Sequence, residues 1–186
     1  MKAYIHLLGV ALMIGAFPAF ADVVTWNYRI GESAPEFTLS SLDGKRVALS
    51  DYKQRIVVIS FMTSWCPFCN AAAPYFEQLN QKYRSRGVET FIVDVHEESG
   101  PISAFVEKHA LTCPVVLDTD GKVTARYAPP ATFAPDLKRE ETMIASFMIV
   151  DRQGKIRFLS LNEDTAKFDA KLTKLKARLD QMLAAQ

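Results

Sequence analysis

The sequence predicts an α/β domain on a mixed sheet, with an N-terminal β-hairpin. Three observations carry this. Two near-continuous apolar runs rich in β-branched residues, RIVVISFM (55–62) and VETFIVDV (88–95), read as strands covered on both faces. Between them the apolar period lengthens to that of a helix, and strands alternating with helices imply crossover units and a mostly parallel centre. Asp43-Gly44 lies between two alternating segments and marks a hairpin.

The elements follow in order. Residues 1–21 read as a secretory leader. Lys2 is their only Lys, Arg, Asp or Glu, an apolar run continues through Phe17, and Ala19-Phe20-Ala21 forms a small-x-small cleavage signal with the cut after Ala21. As a membrane anchor the run is shorter than the ~20 residues a spanning helix needs. Residues 22–186 then form one domain; 186 residues with 49% hydrophobic content suit a single core rather than a disulfide miniprotein. Residues 22–34 are extended and mixed, and the hairpin follows. After the first buried strand, Phe68, Ala72, Tyr75, Phe76, Leu79 and Tyr83 recur at helical spacing, with Pro74 inside the helix and Gly87 placed to end it. Ser99 is a candidate cap for a helix carrying Ile102, Phe105 and Val106. PVVLD (114–118) is a third strand. Residues 128–143, rich in proline and then charged, read as an insertion, whose stretch from Asp136 to Glu141 reads as solvated. SFMIV and KIRFLSL flank Asp151-Arg152-Gln153-Gly154 as a second hairpin, and Phe168, Leu172, Leu175, Leu179 and Met182 share one face of a last helix. Net charge is +1 with no block of one sign, which argues against nucleic acid or an acidic membrane surface as partner.

The chemistry concentrates in SWCPFCNAAAP, residues 64–74. Cys66 follows the strand and Trp65 and opens a helix, where unpaired N–H groups and the positive end of the helix dipole favour thiolate over thiol. Cys69 stands one turn on, on the same side and within disulfide reach. Cys66 is therefore read as the nucleophile toward a partner disulfide and Cys69 as the thiol that resolves the mixed disulfide. Pro67 suits the first helical position, having no donor to leave unused.

With these motifs in view, the chain resembles the thioredoxin-like superfamily, and within it the exported TlpA/ResA-like thiol–disulfide oxidoreductases. The likeness runs from about Gly31 to the C-terminus through APEFTLSSLDGKRVALSDY, SWCPFC, Pro74, PVVLDTDGKV and MIVDRQGKI. It implies a thioredoxin-like three-layer α/β/α sandwich, an exported and hence periplasmic location, and the roles given to Cys66 and Cys69. It implies no bound cofactor and no metal. As partners it implies exported protein dithiols or disulfides and a membrane thiol-redox protein that resets the pair. The family's activity suggests reduction of exported thiols, including those of cytochrome c maturation.

Two departures stand out. The family keeps a buried carboxylate near the second cysteine, at positions that here hold Ser60 or Ala72, so the helix face behind the dithiol is apolar. An anion beside Cys66 would raise its pKa; without one the reduced form gains stability, and oxidation as well as reduction stays open. Asp94, near the end of the second strand, is the best-placed substitute acid; without that role it is a solvated strand end. The family also places a cis-proline before the strand that here reads SFMIVD. That position is Ala145, after Ile144, where a cis bond would cost ~3–4 kcal/mol, or else the turn uses Pro130. Substrate contacts are assigned to Trp65, Pro67, Phe68, Ile144 and Ala145, with Trp65 and Phe68 read as exposed aromatics of a partner surface, or alternatively as packing.

Rival readings use the same residues. Thr63 and Cys66 fit the T-x-x-C of peroxiredoxins, but Ala145 stands where those enzymes need an arginine to stabilise the attacked peroxide. Cys66, Cys69 and His96, with Met62 nearby, offer soft ligands for Cu(I), although copper chaperones of this scaffold space their cysteines more widely. No second Cys or His pair supports structural zinc. His96 otherwise reads as a solvated loop residue, His109 as a cation suited to a helix C-terminus, and Cys113 as a buried free thiol or, less simply, half of a regulatory disulfide.

Overall fold

A computed structural model describes residues 29–127, 145–160 and 168–185. The leader, the 128–143 insertion, Pro130 and Ile144 lie outside these residues. The elements are β1 (Thr38–Ser41), β2 (Arg46–Ala48), β3 (Ile56–Met62), α1 (Pro67–Arg84), β4 (Val88–Val95), α2 (Ser99–Lys108), β5 (Val115–Asp118), α3 (Lys122–Tyr127), β6 (Ser146–Val150), β7 (Ile156–Ser160) and α4 (Thr173–Ala184).

The seven strands form one sheet in the order β2-β1-β5-β4-β3-β6-β7. β3, β4 and β5 run parallel at its centre; the hairpin β1–β2 and the closing pair β6–β7 flank them antiparallel. This is the mixed sheet the sequence predicts. Parallel strands need both faces covered, and every residue of β3 is buried. Val58 and Met62 face a core shared with α1, α2 and α4, while Val57, Ile59 and Phe61 face one shared with α3 and the segment around Phe37 and Leu49. The result is the thioredoxin-like three-layer sandwich.

Element boundaries differ from the sequence reading in three places. Glu98, not Ser99, occupies the cap position of α2, and Ser99 is its first residue; the Ser103 hydroxyl donates to the Ser99 carbonyl at 2.6 Å. Phe168 and Leu172 precede α4 instead of lying on it, because Leu172 adopts a left-handed φ of 56°. α3 has no counterpart in the reading; its six residues are too few to display a period, and side-chain bonds fix its start, with Asp118 accepting from the N–H groups of Val123 and Thr124. As predicted, α1 ends near Gly87, whose φ of +77° closes the turn back to the Arg84 carbonyl. The helix runs through Pro74.

Candidate active site

The site lies at the carboxyl ends of the central parallel strands. β3 stops at Met62, a short turn of Thr63, Ser64 and Trp65 follows, and Cys66 takes the N-cap position of α1 with extended backbone (φ −70°, ψ 123°). Pro67 is the first helical residue, pre-set in φ, and the first turn carries no acid to compete with an anion there. The three cysteines are free thiols and buried.

Cys66 and Cys69 are strongly unlike. The Cys69 thiol hydrogen-bonds the Cys66 sulfur and lowers its pKa; burial opposes this, and the backbone N–H groups of Cys69 and Phe68 assist, so Cys66 ends at about 6. Cys69 is pushed well above the ordinary thiol value, first by burial, then by the bond and charge of Cys66 and the charge of Asp94, with the Thr63 N–H pulling the other way. At neutral pH one sulfur is an anion and the other holds its proton and donates it. Cys113 is a different case. Burial, then the charge of Glu77, pushes it up to about 12, so it is an inert core thiol.

Asp94 corrects the solvated strand-end reading: it is 0% exposed. β4 runs inside the sheet between β3 and β5, in register with Met62 and Leu117 at this residue. By strand alternation its side chain shares the face of Val88 and Ile92, under α1. The face of α1 behind the dithiol is indeed apolar, built of Ala72 and Ala73. The sheet beneath supplies what the helix omits, a carboxyl at Asp94 and a hydroxyl at Ser60, whose Oγ has no hydrogen-bond partner among the described residues. The negative charge of Asp94 bears on Cys69 and is no cause of the Cys66 shift.

Of the residues assigned to substrate contact, Pro67 is exposed, while Trp65 and Phe68 are half-buried and pack on the core. Phe68 meets Phe168 edge-on at 5.1 Å between ring centres. They are therefore partly packing residues, not the freely exposed pair the sequence suggests, because the segment before α4 returns over α1. Ala145 is buried just before β6, in the same cluster as both cysteines.

His96 and His109 do not join the dithiol as metal ligands. His96 has a left-handed φ of 57° and its ring lies on Gly121, where a Cβ would stand 2.0 Å from Nε2. Among the described residues no three His, Cys, Asp or Glu side chains gather as a metal site, so the Cys66–Cys69–His96 donor set is not assembled. His109 closes α2, but burial and the charge of Lys108 lower its pKa, so near neutral pH it is an uncharged ring rather than the predicted cation. Thr63 Oγ1 makes no hydrogen bond among the described residues, which leaves the peroxidase reading without an activating hydroxyl. Asn70, Glu97 and Lys108 are residues the sequence reading missed as parts of the site. Their bonds to the Thr63–Cys66 turn or to one another span up to 38 positions of sequence, and no local pattern announces them.

A dithiol at the mouth of a helix, at the carboxyl edge of this sheet, defines the thioredoxin-like class. The Redoxin family pattern matches residues 29–178, and the chain belongs to that family. It is 31% identical over 131 residues to the thiol-disulfide oxidoreductase ResA of Geobacillus thermodenitrificans, covering 69% of this chain and 67% of that protein. The chain spans 57% of the length of the ResA of Bacillus thuringiensis. Among solved structures, one from Bacteroides thetaiotaomicron superposes with a TM-score of 0.70 at 28% identity, covering 84% of this chain and 91% of that one. A secreted Mycobacterium tuberculosis disulfide oxidoreductase does so at 0.60 and 25%, covering 81% and 96%.

Proposed function

We propose that this protein is a periplasmic thiol–disulfide oxidoreductase that exchanges a Cys66–Cys69 disulfide with exported protein thiols. The observation that carries the reading is the placing of the pair, Cys66 at the N-cap of α1 with the buried Cys69 thiol one turn on and hydrogen-bonded to it, which lowers Cys66 to about 6 and keeps Cys69 protonated. Cys66 has no exposed surface here, so an incoming peptide first displaces the half-buried Trp65 or Phe68 beside it; in the reductive direction the Cys66 thiolate then attacks one sulfur of the partner disulfide and expels the other as thiolate. Cys69 then gives up its proton and attacks Cys66. The new Cys66–Cys69 bond releases the partner's second sulfur, so the partner gains the two electrons the enzyme dithiol loses. Asp94, buried on the face below Cys69, is the acceptor for that proton. The oxidative direction is the same sequence reversed.

Residues 1–21 direct export and are cut after Ala21, leaving residues 22–186 as the working domain with an insertion at about 128–143. Pro67, Trp65 and Phe68 border the nucleophile and, with Ile144 and Ala145, meet the incoming peptide. The exchange consumes no cofactor, and a membrane thiol-redox protein resets the pair. The likeness to ResA proteins and to a secreted disulfide oxidoreductase supports substrate class and location alike. The test is reduction of insulin disulfides by dithiothreitol-charged protein. Wild type should turn over, Cys66→Ser should be inactive, and Cys69→Ser should accumulate a mixed disulfide. Turnover that persists in Cys66→Ser would refute the assignment.

A further inference from the structure

Ser64, in the middle of the turn between β3 and α1, is held on three sides. Its N–H and its hydroxyl donate to the two oxygens of the Glu97 carboxylate at 2.5 and 2.9 Å, and its carbonyl accepts from the Asn70 amide at 2.8 Å. The same amide nitrogen donates to the Cys66 carbonyl at 3.0 Å, beside the backbone N–H of Asn70 at 3.0 Å. Carbonyls only accept, so these two bonds fix which end of the amide is which. The Asn70 oxygen therefore faces the end of α2, where Lys108 Nζ donates at 2.8 Å and His109 Nε2 at 3.1 Å. His109 must carry its proton on Nε2 to do so. Glu97, 5% exposed, sits just past β4. The turn ahead of the nucleophile is thus held directly by Glu97, just before α2, and through Asn70 by the far end of α2.

We propose that Asn70 and Glu97 are positioning residues that fix the Thr63–Cys66 turn and so set how strongly the start of α1 stabilises the Cys66 thiolate. They act on the backbone between the sulfurs' donors. Thr63 donates its N–H to Cys69, and Phe68 and Cys69 donate theirs to Cys66. Hydrogen bonds to a thiolate weaken steeply with misalignment, and the turn's own closing bond, from the Cys66 N–H to the Thr63 carbonyl, is long at 3.4 Å. The polar group after the dithiol is here an amide, which can donate to two carbonyls and accept from two cations or rings at once. Lys108, exposed at the end of α2, is the outer anchor of this arrangement.

The inference rests on the thiol–disulfide reading, and the test separates the two. Full-length Asn70→Ala, Glu97→Gln and Lys108→Met proteins are compared with wild type by thiolate absorbance against pH, by equilibration with glutathione and by thermal melting. Loss of the grip removes thiolate stabilisation from the reduced form. Asn70→Ala should raise the Cys66 midpoint and make the disulfide about tenfold harder to reduce, a shift of about 30 mV to more negative potential. Glu97→Gln and Lys108→Met should move both readings the same way by less. If Asn70→Ala does not fold, those two carry the test. Unchanged midpoint and glutathione equilibrium in the folded variants overturn the inference, even where the melting temperature falls, since a purely structural role would change melting alone. A wild type that fails to equilibrate with glutathione refutes the enzyme reading instead.

Discussion

At the scale of single residues, the chemistry depends on an inequality between two sulfurs one helical turn apart. Cys66 is an anion because Cys69 and two helix N–H groups donate to it; Cys69 keeps its proton because it is buried beside that anion and above Asp94. Removing Asp94 should therefore leave attack intact and slow release. In Asp94→Asn the second step, followed by quench-flow trapping of the mixed disulfide, should slow by about 10²-fold, the lower end of what general-base groups contribute, with the Cys66 midpoint little changed. The cysteines themselves are legible in the sequence, since a C-x-x-C between a buried strand and an amphipathic helix specifies its own geometry. Asp94 is only half legible. Its position near a strand end suggests water, and only the pairing of Met62 with Asp94 across β3 and β4 reveals that the sheet encloses it.

At the scale of elements, the part of α1 just behind the dithiol presents a small, uncharged face to the sheet. Ala72 and Ala73 have no exposed surface, and no acid stands in the first turn. Ala72→Glu would force a carboxylate into this space. The Cys66 midpoint should rise by about one unit through like-charge repulsion, and overpacking should cost about 1–3 kcal/mol of stability; a thiolate titration and a urea melt read the two effects separately. The element pattern is well marked in the sequence where long apolar runs or clear turn residues announce it, as in β3, β4 and the Asp43-Gly44 hairpin. It fails at α3 and at the start of α4. There, side-chain caps from Asp118 and the left-handed Leu172 decide the boundary, not periodicity.

At the scale of the whole molecule, stability and chemistry are held by different polar networks. Glu77 of α1, 6% exposed, accepts from the N–H and hydroxyl of Thr112 at 2.8 and 2.6 Å and from Gln81 at 3.0 Å. Asn80 joins it to Thr90 of β4, so the network ties the helix to the sheet well along α1 from Cys66. Burial alone would raise the Glu77 carboxyl, but the bonds from Thr112, Gln81 and Asn80 outweigh it and hold its pKa below the ordinary value. A depressed carboxyl contributes stability above its unfolded pKa and loses it as pH falls through the folded one. The protein should therefore lose stability as pH drops below about 4.5, and Glu77→Ala should flatten that loss while costing about 1–3 kcal/mol at neutral pH. Urea melts from pH 3 to 7 check both, and the Cys66 midpoint should not move.

The fold makes Cys66 a thiolate near neutral pH while Cys69 stays protonated. The direct measurement is the rate of iodoacetamide alkylation of the reduced protein against pH, with the modified cysteine identified by peptide mass. Cys66 should be the residue modified, with a rate that rises through a midpoint near 6. Labelling that falls mainly on Cys69, or a Cys66 midpoint at the ~8.5 of an ordinary thiol, would contradict it.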